Sequence, residues 1–144
     1  MYKLFSPETA ALGHGNLKSA YIPNVVEALR KYPPFISVSA GDWYTHALNE
    51  KGDLYTWGRG EYAVFGDGDI HSRGLPIINQ SIKRLRKNYG KIVIKMKAVG
   101  NTTAVLMSKS LTTFANIFQD DGTLYFWGAN EYGQMGLRNG TGEM

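Results

Sequence analysis

The sequence predicts an all-β fold built from repeated antiparallel meanders of short strands. The first observation is the stretch Gly52-Asp53-Leu54-Tyr55-Thr56-Trp57-Gly58, which returns as Gly122-Thr123-Leu124-Tyr125-Phe126-Trp127-Gly128. The second is the pattern inside each copy, where a glycine permits a tight turn and alternating aromatic and aliphatic residues suit a pleated strand. A sheet of this size cannot bury both faces alone, so each copy requires a neighbouring copy packed beside it.

Each copy contains strands upstream of the repeated stretch. Residues 36–40 (Ile-Ser-Val-Ser-Ala) form one strand-like run, and residues 45–49 (Thr-His-Ala-Leu-Asn) form the next. Gly41 lies in the turn that joins them. Short runs of this kind, separated by turn residues, are typical of a meander. The predicted unit is therefore an antiparallel, four-stranded sheet.

A third, partial copy lies at the N-terminus. Leu12-Gly13-His14-Gly15-Asn16 matches Phe65-Gly66-Asp67-Gly68-Asp69, and a proline follows ten positions after the first glycine of each, at Pro23 and Pro76. This pattern predicts a loop followed by an edge strand. The position that corresponds to tryptophan holds Leu4, so the first copy lacks the Trp-Gly pair.

These segments resemble the repeat of the regulator of chromosome condensation family. The resemblance rests on Ala40-Gly41, on the two Trp-Gly strands, and on Glu131-Tyr132-Gly133-Gln134-Met135-Gly136. It implies a segment of a seven-bladed β-propeller. It also implies a role like those of family members, some of which are guanine-nucleotide exchange factors for the GTPase Ran or chromatin-binding and scaffold proteins. The repeat-motif residues are Gly41, Gly52, Trp57, Gly58, Gly66, Gly122, Trp127, Gly128, Gly133 and Gly136.

The repeats divide the chain into four predicted segments. Residues 1–34 form a partial first repeat, and residues 35–77 form a complete blade. Residues 78–97 hold a basic insertion or linker and the strand that opens the next repeat. Residues 98–144 form an expanded second repeat that ends mid-repeat. The expansion arises because Gly41 and Gly52 are eleven positions apart, whereas Gly100 and Gly122 are twenty-two apart. Either residues 102–108 keep the usual strand and residues 111–118 are extra, or the reverse.

About two and a half repeats are too few to close a ring, since propellers contain about four to eight blades. Two explanations fit: the chain is a fragment of a longer protein, or another polypeptide completes it in an assembly. A third interpretation is that the chain folds as a small independent β domain. In the first two cases the terminal blades leave sheet edges and apolar faces open.

The composition argues against disulfide-rich, secreted and membrane-spanning classes of protein. The chain has 144 residues and no cysteine, so it has no disulfide framework and no thiolate metal site. It lacks the apolar run of a signal peptide and any stretch of about 18 apolar residues that could span a membrane. We therefore expect an intracellular protein, cytoplasmic or nuclear, with an organelle or a cytoskeletal assembly left open.

A basic stretch is a candidate partner surface. From Ile70 to Gln119 the sequence holds nine basic residues and no Asp or Glu, although the net charge of the whole chain is only +4. Such a stretch favours an acidic protein surface or a nucleic acid. The alternative is a solvated face around an insertion, in which residues 81–88 form a short basic helix or a loop. The candidate partner contacts are Lys83, Arg84, Arg86, Lys87 and Lys91, with Trp43 and Tyr44 in the turn after Gly41.

The sequence contains no motif that is typical of an enzyme active site. His14, His46 and His71 are too far apart to form a metal motif, and no phosphate loop or nucleophile elbow occurs. The carboxylates of Asp67, Asp69, Asp120 and Asp121 lie in predicted turns, where Asp favours chain reversal. We expect no catalysis, no cofactor and no metal. Trp57 and Trp127 are interpreted as packing between blades.

One position departs from the repeat pattern. Ala63 stands where the second copy has Gly133. If that glycine adopts a positive φ, a side chain makes the conformation costly, so we expect a loop of different shape at Ala63.

The sequence thus predicts a non-catalytic protein-interaction or scaffold component within a larger complex, partnered by other protein subunits. One alternative is a guanine-nucleotide exchange factor for a small GTPase, which displaces phosphate and Mg²⁺ contacts without covalent chemistry. The other is chromatin or nucleic-acid binding through the basic insertion.

Overall fold

The computed structural model describes residues 9–109 and 122–136, whose strands form two antiparallel sheets. The first sheet has the order β1-β2-β3-β4 and the second the order β5-β6-β7. The strands are β1 (Phe35–Ala40), β2 (Tyr44–Asn49), β3 (Leu54–Gly58), β4 (Arg73–Ile78), β5 (Lys91–Val99), β6 (Thr102–Lys109) and β7 (Thr123–Gly128). The predicted all-β class with antiparallel blades is confirmed. Pro76 lies in β4 at the sheet edge, where a missing N–H is tolerated.

The two sheets repeat the same register. Thr45 pairs with Trp57 across β2 and β3, and Thr103 pairs with Trp127 across β6 and β7. The second sheet therefore keeps its usual middle strand at residues 102–109, which settles one alternative of the sequence analysis. The extra residues 111–118 lie outside the described residues, as does Leu4.

The basic insertion contains a helix, α1 (Gln80–Tyr89), rather than a loop. The side chain of Asn79 caps it, because its Oδ1 accepts the backbone N–H of Ile82 at 2.8 Å. The helix ends at Gly90, whose φ of +68° is the left-handed conformation common after helices. The segment boundaries at residues 34, 77 and 97 stay a prediction.

An apolar core lies between the two sheets. Its buried members are Leu48, Leu54, Ile82, Val93, Val105 and Met107. The first sheet contributes β2 and β3, the second contributes β5 and β6, and α1 closes the core through Ile82. The insertion is therefore packed against both blades and is more than a solvated loop.

The N-terminal residues cover the other face of the first sheet. Ala47, Tyr55 and Trp57 are buried there, with Leu29, Phe35 and Ile78 packed against them. A single 3-10 turn spans Glu27–Leu29 in this segment. Burial raises the pKa of Tyr55 to about 12. The partial first repeat thus takes the place of a preceding blade for part of this face.

Ala63 adopts the same left-handed conformation as its counterpart Gly133, but the two loops differ one residue earlier, where Tyr62 has a positive φ and Tyr132 does not. Ala63 has a φ of +52° and Gly133 a φ of +69°. The preceding residue, Tyr62, is also left-handed at +59°. The hydrogen bond from the Gly66 N–H to the Ala63 carbonyl, 3.0 Å long, holds the turn closed in spite of the side chain. Tertiary structure therefore overrides the local preference here.

Ala63→Gly is expected to raise the free energy of unfolding by up to about 1 kcal/mol, because glycine adopts a positive φ without steric cost. Gly133→Ala is the converse change, since a Cβ there meets nothing within 4 Å and only the backbone strain is added. It should destabilise the chain by a similar amount. Urea denaturation of both variants measures the two effects. Equal stability of Ala63→Gly and the unmodified chain would contradict the strain argument.

Candidate functional site

The joint between the repeats is built from tryptophans and glycine turns. The Trp127 Nε1–H donates to the Val64 carbonyl at 2.7 Å, and its ring lies over Gly66, where an added Cβ would come within 2.6 Å of it. Trp57 does the same one repeat earlier, donating to the Ala11 carbonyl at 2.7 Å. Its ring lies over Gly13 in the same way. Each tryptophan therefore holds its blade to the turn of the preceding repeat.

A polar cluster lies beside this joint. The His46 Nε2 lies 3.0 Å from the Thr103 Oγ1, and the Tyr44 hydroxyl lies 2.9 Å from the same oxygen and donates to the Thr102 carbonyl. His46 is 0% exposed. Burial lowers its pKa to about 4, and a backbone interaction with Val64 offsets part of this effect. The cluster links β2 of the first sheet to β6 of the second.

Tyr44 is not a surface aromatic. Its ring is 1% exposed and belongs to the buried cluster with Val64, Phe65 and Ala98. The prediction that it contacts a partner is therefore wrong, because strand β2 begins at Tyr44 and turns its ring between the sheets. Trp43, one residue earlier, is half-buried beside Arg59, Glu61 and Tyr62 and stays a candidate contact.

Arg73 does not belong to the basic surface. Its guanidinium lies 2.8 Å from Asp67 and 3.0 Å from Asp69, donates to the Thr56 Oγ1 at 2.9 Å, and stacks over the ring of Phe65. Its side chain is 8% exposed. Sequence reasoning missed this site, although the Asp-Gly-Asp turn four to six residues before Arg73 is a signal that could have found it.

The surroundings of Asp69 favour its ionised form. The backbone N–H of His71 donates to it, and the His71 ring and the Arg73 guanidinium also bind it. These three interactions hold the pKa of Asp69 well below its usual range, in that order of size. The two carboxylates thus serve chain reversal, as predicted, and also fix a buried cation.

The predicted basic contacts have different surroundings. Arg86 pairs with Asp53 at 2.6 Å, and the Lys91 Nζ hydrogen-bonds to Thr123, so both take part in the internal structure. Lys83, Arg84 and Lys87 are exposed on α1, and none of them forms an ion pair with a described carboxylate. The candidate acidic-partner surface is therefore reduced to these three side chains.

The outer face of the second sheet is open. Strand pairing places Lys95, Lys97, Leu106, Leu124 and Phe126 on one face, which is called the open face below. Leu124 is 56% and Phe126 41% exposed. The same positions of the first sheet are Leu54, which is 1% exposed and packs against the second sheet, and Thr56, which is 0% exposed and accepts a hydrogen bond from Arg73. The open face thus resembles one side of an interface between blades, and the described residues include no partner for it.

The described residues contain no group of three or more His, Cys, Asp or Glu side chains placed to hold a metal ion. Helix α1 falls short of the length and apolar character that crossing a membrane requires, and the described segments contain no other candidate span.

Comparison with known proteins identifies the repeats. Two family models, both described as regulator of chromosome condensation (RCC1) repeat, match residues 35–64 and residues 8–48. Residues 8–64 therefore carry repeats of the RCC1 type. The matched residues include the N-terminal glycine turn and three of the four strands of the first sheet, β1, β2 and β3.

Two curated relatives show how small a share of an RCC1-type protein these residues represent. The chain is 30% identical over 136 residues to the E3 ubiquitin-protein ligase HERC2 of Mus musculus, an alignment that covers 94% of the chain and 2% of HERC2. It is 30% identical over 132 residues to the ultraviolet-B receptor UVR8 of Arabidopsis thaliana, covering 90% of the chain and 25% of UVR8. The chain therefore spans a quarter or less of either relative.

A solved structure, that of Prp20p from Saccharomyces cerevisiae with its binding properties to Gsp1p and histones, matches with 26% identity and a TM-score of 0.42. The match covers 50% of the chain and 16% of Prp20p.

Proposed function

We propose that the chain is a non-catalytic protein-interaction component, a scaffold segment whose repeats associate with further blades in a larger complex. The open face carries this proposal. Burying exposed apolar surface is the main driving force of protein association, and monomeric proteins rarely leave a contiguous apolar patch facing solvent.

The two sheets themselves indicate what the open face binds. Where the first sheet meets the second, Leu54 is buried against Val93, Val105 and Met107 of the second sheet. The second sheet presents Leu124 at the equivalent position, with Phe126 on the same face, and repeats the register of the first. A blade of the same architecture therefore fits the open face, and Lys95 and Lys97 at its edge favour a partner with acidic residues there.

Phe126→Asp is expected to reduce partner capture by about tenfold, because it places a charge at the centre of an apolar interface. The full chain is tagged, expressed in cells of its source, captured, and its co-purifying proteins are quantified by mass spectrometry. Tyr21→Asp is the matched control, since Tyr21 is 96% exposed and distant in sequence from the open face. Equal recovery with Phe126→Asp and with Tyr21→Asp would contradict the proposal.

Two alternative functions stay predictions. The three exposed cations of α1 are compatible with an acidic protein or nucleic-acid partner. Exchange-factor activity toward a small GTPase has support from the repeat family, but no described residue favours it over a scaffold role.

A further inference from the structure

We propose that a small polar cavity at one end of the two sheets binds the guanidinium group of an arginine on a partner protein. The cavity, called the end cavity below, has a volume of about 180 Å³ and is lined by Trp43, Arg59, Glu61, Tyr62 and Asn101. It shares no residue with the open face. The inference therefore goes beyond the proposed scaffold function and adds a second contact of different chemistry.

Three segments of the chain build the end cavity. Trp43 lies in the turn between β1 and β2, and Asn101 lies in the turn between β5 and β6. The segment after β3 supplies the other lining residues and is tied to the first turn, because the backbone N–H of Arg59 donates to the Trp43 carbonyl at 2.9 Å. The backbone N–H of Asp42 donates to the Gly100 carbonyl at 3.0 Å and joins the two turns. The cavity is therefore preformed, so a ligand binds without the entropy cost of ordering a loop.

The end cavity is not a general feature of the repeat. In the second sheet the equivalent hydrogen bond runs from the Ala129 N–H to the Asn101 carbonyl, at 2.9 Å. Alanine thus replaces Arg59 there, and asparagine replaces Trp43. The second repeat keeps the backbone contact without the cation and the indole, so the joining of strands within a blade does not require these two side chains.

The loop that carries Tyr62 is strained where it borders the end cavity. Tyr62 has a φ of +59°, which residues with a side chain seldom adopt, and Ala63 after it is also left-handed. The equivalent Tyr132 has no positive φ and is 91% exposed, whereas Tyr62 is 51% exposed. Strained conformations of this kind are concentrated at sites that bind ligands. The strain therefore accompanies the position of Tyr62 in the cavity wall.

The charge around the end cavity favours a cation as the ligand. The Arg59 Nη2 lies 2.5 Å from the Glu61 Oε1, and this ion pair neutralises the single cation of the lining. The second carboxylate oxygen of Glu61 binds no described residue, and the side chain is 54% exposed. The exposed carboxylate of Asp42 lies beside Gly100, which precedes the lining residue Asn101. An anionic ligand would meet two carboxylates here, whereas a cation pairs with them.

The size and the lining of the end cavity suit a guanidinium group. Its volume is about six times the share of one water molecule in the liquid, which admits a side-chain head group and excludes a folded element. Guanidinium carries only donors, so it matches the free carboxylate oxygen of Glu61. It also stacks on aromatic rings, such as those that Trp43 and Tyr62 supply to the lining, and it is more weakly hydrated than an ammonium group.

The test uses the full, isotope-labelled chain and the capped peptide Gly-Gly-Arg-Gly-Gly. Titration followed by NMR is expected to give saturable shifts of the backbone amides of Trp43, Tyr62 and Asn101. The amides of Gly52 and Gly90, at the opposite end of the sheets, should not shift. The same peptide with citrulline, which keeps the shape of arginine without its charge, should bind at least about tenfold more weakly. No saturable shift at the end cavity, or equal affinity of the two peptides, would overturn the inference.

Two chain variants complete the test. Glu61→Gln removes the carboxylate charge and leaves the Arg59 cation unpaired, so we expect at least about tenfold weaker binding of the arginine peptide. Glu50→Gln is the matched control, because Glu50 is also exposed but lies in the turn between β2 and β3, and the affinity should be unchanged. Equal affinity of the two variants overturns the end cavity as an arginine site. Partner capture that depends on Phe126 would then leave the scaffold function standing, whereas arginine binding without such capture would refute the scaffold function alone.

Discussion

Replacing Arg73 with alanine is expected to lower the free energy of unfolding by about 3–5 kcal/mol. The guanidinium is nearly inaccessible and binds two carboxylates, of which the Asp67 side chain is only 7% exposed. Removing the cation leaves the buried charge of Asp67 uncompensated and also leaves Thr56 without the donor that reaches it. Urea denaturation followed by tryptophan fluorescence measures the loss.

Arg84→Ala is the control for this prediction. Arg84 is exposed on α1 and pairs with no described carboxylate, so its loss should change stability by no more than about 0.5 kcal/mol. An effect of Arg73→Ala as small as that of Arg84→Ala would show that the ion-pair cluster adds little to the blade. In that case Arg73 would belong to the solvated basic surface after all.

Lowering the pH from about 6.5 to about 4 is expected to remove about 3 kcal/mol of stability through His46 alone. The pKa of His46 is lowered from 6.5 in the unfolded chain to about 4 in the fold, so the unfolded chain takes up a proton first as the pH falls. The contribution of neutral His46 is therefore complete above the unfolded pKa and is lost through this window. Unfolding free energies at several pH values measure the slope.

His46→Gln separates this effect from the titration of carboxylates. Glutamine keeps a nitrogen that can reach the Thr103 Oγ1, and it carries no charge at any of these pH values. The variant should therefore lose the steep decrease between pH 6.5 and pH 4. A decrease of the same size in His46→Gln would assign the pH dependence to other groups.

The repeat architecture was predictable because it depends on local patterns. Alternating residues ending in Trp57 and Trp127 predict strands, and β3 and β7 lie at those residues. Both tryptophans pair with the equivalent threonine, Thr45 or Thr103, of the neighbouring strand. The insertion was harder, because residues 81–88 suit a helix or a loop until Asn79 is recognised as the cap.

The site residues that were not predicted correctly depend on contacts with residues that are distant in the sequence. The burial of Tyr44 follows from the position of Thr103, 59 residues later, which no local pattern reveals. Arg73 was counted with the basic surface because its link to Thr56 arises only when β3 and β4 pair. Ala63 shows the opposite case, since the structure around it overrides the local preference of a non-glycine residue for a negative φ.

The arrangement of tryptophans on glycine turns means that the folding unit is offset from the sequence repeat. Each joint takes its carbonyl and its glycine from one repeat and its indole from the next, as Val64, Gly66 and Trp127 show. Dividing the chain at the end of a repeat therefore separates the two halves of a joint. A piece that keeps this joint whole must extend from the turn at Ala63 to the strand that ends at Gly128. Stability in this protein therefore belongs to pairs of neighbouring repeats rather than to single ones.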